Sequence, residues 1–112
     1  MLDIQPGYVK LVLGAGALDA KAALGKFAEV CRHESVSRGL ILVKSPHAAI
    51  EAVTDGLARA ARHLVPGFRL AVVARGAGSA ELARRAVAAW PRGRGVASGF
   101  SSELRAACWL IG

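Results

Sequence analysis

The chain has 112 residues, 54% of them hydrophobic and 21% charged, which is enough apolar mass for one packed domain and excludes wholesale disorder. Aromatics make up only 5%, so the core is expected to be aliphatic and closed by near approach of backbones. The formal charge of +7 is lopsided: residues 1–56 balance six basic against six acidic side chains, whereas residues 57–112 carry nine arginines against Glu81 and Glu103.

Along the chain, Leu2 and Ile4 alternate with polar neighbours, Pro6-Gly7 forms a turn pair, and Tyr8–Leu13 reads as a strand. Residues 2–13 therefore predict a hairpin or two adjoining strands. After Gly14–Gly16 the spacing turns helical, with Asp19 as the expected cap and Ala20, Ala23, Leu24, Phe27, Val30 and Cys31 on one face. The unbroken apolar run 39–43 predicts a strand covered on both sides. Ser45-Pro46 is a helix start, serine as cap and proline at the first helical position, and Ile50, Val53, Leu57, Ala61 and Leu64 form the inward face. Pro66-Gly67 closes that helix. Phe68–Ala74 predicts the next strand, and Ser79 is the expected cap of a helix burying Leu82, Ala83, Ala86, Val87 and Trp90. Residues 96–100 predict a last short strand. Ser101 or Ser102 then caps a final helix with Leu104, Ala107, Cys108 and Leu110 inward.

This alternation predicts one α/β domain over residues 1–112, with a mixed, mostly parallel sheet of about five strands flanked by four helices. The longest apolar stretch, about residues 11–18, is far short of the ~20 residues a bilayer span requires, and Asp3 and Gln5 interrupt any secretory pattern. Cys31 and Cys108 both fall in apolar helical patterns, so reduced, packed thiols and a bacterial cytoplasmic setting are expected.

The chemical candidates are few. Gly14-x-Gly16 and Gly76-x-Gly78 each follow a strand, but Asp19 and Glu81 occupy the position of the third glycine in a dinucleotide loop. His33, His47 and His63 have no metal-ligand spacing, so neither a metal nor a cofactor is expected. Loops at the C-terminal ends of parallel strands are the usual binding edge of such sheets. There Lys44, Ser45, His47, Arg75 and Ser79 would form a positive rim suited to a carboxylate or phosphate. A Ser45–His47 nucleophile pair is conceivable, but side chains two residues apart at a helix start diverge. Arg84, Arg85, Arg92, Arg94 and Arg105 are candidates for contact with a polyanion, without exposed aromatics for reading bases.

Residues 68–74 (FRLAVVA) and 95–110 (GVASGFSSELRAACWL) resemble the close of the bacterial SpoIIAA-like (STAS-like) family, in which a strand leads to Phe-Ser/Asp and a short helix finishes Ala-x-x-Trp-Leu. Phe100, Ala106 and Trp109-Leu110 stand at those places, and the element order of the whole chain fits. The resemblance implies a small sheet flanked by helices that works by binding partners or apolar ligands. It also implies a phosphorylatable serine at the start of the second helix within an Asp-Ser-Ser-Gly type loop. Here the loop is Lys44-Ser45-Pro46-His47, and Ser45 matches in position only.

The expected function is thus a non-enzymatic binding or regulatory module for a protein partner or a small apolar or anionic ligand. The alternative is a basic protein that binds polyanions, nonspecific nucleic acid included, or a membrane surface through the arginines of its second half. Exposed edge strands would permit a homodimer.

Overall fold

The structure is a computed structural model that describes residues 2–14, 20–44, 46–76, 78–91 and 95–111, with side chains 46–49 outside the description. Five strands, β1 (Leu2–Gln5), β2 (Tyr8–Leu13), β3 (Arg38–Val43), β4 (Phe68–Ala74) and β5 (Gly95–Phe100), lie side by side in chain order. The β1–β2 pair is antiparallel and the other three pairings are parallel. Between them run α1 (Ala20–His33), α2 (Pro46–Ala60) extended by a 3-10 turn at Ala61–His63, and α3 (Ser79–Ala89); α4 (Glu103–Ile111) follows β5.

Right-handed crossovers between strands that follow one another in the same direction put every connecting helix on one face. Accordingly α1, α2 and α3 form one layer, and α4 lies on the opposite face over β3, β4 and β5. The main core lies beneath the three-helix layer, built from Val9, Leu11, Leu24, Phe27, Ile41, Val53, Leu57, Phe68, Leu70, Val72, Leu82 and their neighbours. Phe27 meets Phe68 edge-on with ring centroids 6.3 Å apart, and Phe68 leans on Trp90 at 6.1 Å. A smaller cluster of Leu40, Ala71, Val73, Ala106 and Leu110 lies under α4. The run 39–43 is thereby covered from both sides, as its continuous hydropathy requires.

Small residues let these layers close. A Cβ on Gly39 would overlap the ring of Phe27 and come within 2.9 Å of Phe68 Cζ. Gly56 lets α2 reach α1, where a Cβ would meet Leu24 Cδ1 at 2.5 Å.

Three local expectations shift, the first being Val87 of α3, which is exposed although its spacing placed it inward. The cap of α3 is Gly78, at φ +82°, whose carbonyl accepts from Leu82 N–H at 2.9 Å; Ser79 becomes the first helical residue. On α4 the buried positions are Ala106 and Leu110, while Leu104 and Cys108 face outward. The helix is apolar almost all round, so periodicity alone does not set its phase. Its start does: Ser102 Oγ accepts from Arg105 N–H at 3.4 Å and Ser102 C=O from Ala106 N–H at 3.1 Å, turning Ala106 onto the sheet. The expected Asp19 cap and residues 15–18 of the first glycine loop lie outside the described residues.

Candidate binding surface

The β3–β4 register sets Val43 beside Ala74, so the next residues, Lys44 and Arg75, leave the sheet as neighbours at its C-terminal edge. Both are exposed. With Leu42, Val43 and Glu103 they line an open depression of about 340 Å³. Arg75 Nε donates to Ser101 C=O at 2.8 Å, tying the end of β4 to the turn that enters α4. The Glu103 carboxylate is held by Lys10 Nζ at 2.6 Å, a partly buried pair reaching across from β2. One carboxylate is therefore already matched by Lys10, and Lys44 and Arg75 leave the depression positive.

The other rim candidates are distributed differently. Ser79 is half-buried and lines a neighbouring depression of about 250 Å³ with Ala83, Gly99, Phe100 and Ser101, apart from Lys44. Ser45 lies outside the described residues, and His47 belongs to the first turn of α2 with its side chain outside the description.

Of the five arginines proposed for a polyanion, the three that are described do not share one surface. Arg84 and Arg85 ride on α3 in the three-helix layer, Arg105 is on α4 across the sheet, and Arg92 and Arg94 lie outside the described residues. Arg84 is bound to Glu81 by two bonds, of 2.6 and 3.2 Å. That hydrogen bond holds the Glu81 carboxyl below its usual range.

Strand parity reveals a grouping that a linear reading misses. Residues alternate between sheet faces, and the register aligns Lys10, Arg38 and Arg69 on the face that carries α4. Arg69 lies with its guanidinium carbon 4.4 Å from the centre of the Trp109 ring and donates to Trp109 C=O at 2.7 Å. Counting Lys44, Arg75 and Arg105, the α4 side holds, among the described residues, six basic side chains against Asp3 and Glu103. The three-helix layer is nearer balance, its basic residues offset by Glu29, Glu34, Glu51, Asp55 and Glu81.

Among the described residues no group of three histidine, cysteine, aspartate or glutamate side chains is placed to hold a metal ion. No described helix is long and apolar enough to cross a membrane. No family model, curated protein or solved structure matches the chain.

Proposed function

We propose that this chain is a non-catalytic binding module of the STAS-like type, taking a carboxylate or phosphate group of a small ligand or protein partner between Lys44 and Arg75. The observation that carries the reading is the juxtaposition of those two exposed cations over one depression at the C-terminal sheet edge. A planar guanidinium beside a flexible ammonium offers several donors to one anion, with Leu42 supplying an apolar floor. Glu103 supports a binding role over a proton-transfer role, since its carboxylate is engaged by Lys10. The sequential sheet with one antiparallel edge, and the Phe100–Trp109 contact at 5.5 Å that seats the last helix, agree with the resemblance in residues 68–110.

The test is calorimetric titration of the chain with pyrophosphate and with succinate, repeated on Lys44→Glu/Arg75→Glu with the fold checked by circular dichroism. Binding weakened at least ~10-fold in the variant is expected, because two attractive cations become two repelling anions. Equal binding by both proteins, or none of either compound by the wild type, would overturn the reading. The alternative, binding of a polyanion or a membrane surface through the second-half arginines as a set, draws less support because Arg84 and Arg85 lie across the sheet from Arg105.

A further inference from the structure

The outward side of α4 is more apolar than its packing on the sheet needs. Inside, Ala106 and Leu110 are fully buried. Outside, Leu104 is 75% and Ile111 56% exposed, with exposed Cys108 between them. Spacings of four and three residues put these three in one stripe along the helix. Val96 on the edge strand β5, 57% exposed, has the parity of the same side. Among the described residues α4 is the sole helix on this face, so the stripe is the crest of a ridge and not the floor of a groove.

We propose that this ridge seats the chain on an anionic lipid bilayer surface. Charge chooses the occupant. Among the described residues the ridge rises from the side with six cations and two carboxylates, so a second copy would bring two like-charged faces together. An anionic leaflet matches that surplus and attracts each nearby cation. Bilayer headgroups also part around a convex apolar crest, so Leu104 and Ile111 can enter the headgroup–acyl boundary without a preformed pocket. Half-buried Trp109, on the flank beside Arg69, has the amphipathic ring that settles at such interfaces. This inference stands on the ridge and the charge distribution and is independent of the anion site at Lys44 and Arg75.

The experiment is flotation of the full chain with vesicles of phosphatidylcholine alone or with ~30% phosphatidylglycerol, at low and high salt. It is repeated on Leu104→Glu/Ile111→Glu and on Arg59→Glu. The first alters two exposed side chains; the second makes the same change in net charge on α2, in the opposite layer. Circular dichroism confirms that both variants fold. The wild type and Arg59→Glu should float with the anionic vesicles only, more weakly at high salt. The ridge variant should lose at least ~10-fold in partitioning, because its crest now carries two carboxylates that the headgroup–acyl boundary would have to desolvate. The proposal is overturned by a wild type that does not float. It is overturned equally by a ridge variant that floats as the wild type does, or by Arg59→Glu losing as much as the ridge variant. A dimer off the vesicles that Leu104→Glu/Ile111→Glu dissociates would assign the ridge to a second copy and also overturn it.

Discussion

Cys31 and Cys108 occupy similar apolar stretches of sequence, yet their surroundings are opposite. Cys31 is fully buried in the main core, and desolvation pushes its thiol up to about 12. Cys108 is exposed on the ridge of α4, contrary to the packed thiol its pattern predicted. A disulfide-exchange reagent at mildly alkaline pH should therefore titrate one thiol in the native chain and two in denaturant, and alkylation mapping should place the native one at Cys108. Two native thiols would mean that the core around Cys31 opens readily. The shift also has a sign for stability. In the unfolded chain Cys31 loses its proton near the ordinary 9.0, in the folded chain only near about 12, so between these values the folded state holds more protons. Stability accordingly falls as pH rises through that window, by at most ~1.4 kcal/mol per pH unit from this group. That Lys44 and Arg75 lie together at the sheet edge was legible because each directly follows a strand. Lys10 and Glu103 were not, since they are 93 residues apart and only the fold joins them.

At the level of elements, strands 39–43 and 68–74 and the first two helices follow from hydropathy, because each buries a face broad enough to impose its period. Two of the departures have local causes. Gly78 takes the cap of α3 because its left-handed φ suits glycine and lets its carbonyl open the helix one residue before Ser79. The phase of α4 was hidden because Leu104, Cys108 and Ile111 are as apolar as Ala106 and Leu110. That helix rests on few buried residues and is fastened at its end by Trp109, which contacts Phe100 and receives Arg69 on its ring and carbonyl. The latch also offsets the like-charge pairing of Arg38 and Arg69 across β3 and β4. Trp109→Ala should lower stability by ~2–3 kcal/mol in urea unfolding, the sum of a lost aromatic pair, a lost cation–π contact and partial burial. It should also speed amide exchange in α4 ahead of α1 and α2. Uniform exchange across all four helices would show that α4 is held by something other than this contact.

For the whole molecule, the instructive contrast is between charge by halves and charge by faces. Read linearly, the surplus belongs to residues 57–112. Folding redistributes it. Arg84 and Arg85 are carried into the layer with most of the carboxylates, while Lys10, Arg38 and Lys44 from the balanced first half join Arg69, Arg75 and Arg105 around α4. That grouping depends on strand order, register and the crossing of α4 to the far face, none of which a residue count contains. It is the basis on which we propose the α4 side of the sheet as the working face, with an anion taken at its C-terminal edge. The most direct measurement is a two-dimensional amide NMR titration of the isotope-labelled chain with pyrophosphate. Shifts should gather at Val43, Lys44, Arg75 and the turn from Ser101 to Glu103, leaving α1, α2 and α3 unmoved. Shifts concentrated instead at Arg84 and Arg85 on α3, or absent throughout, would contradict the account.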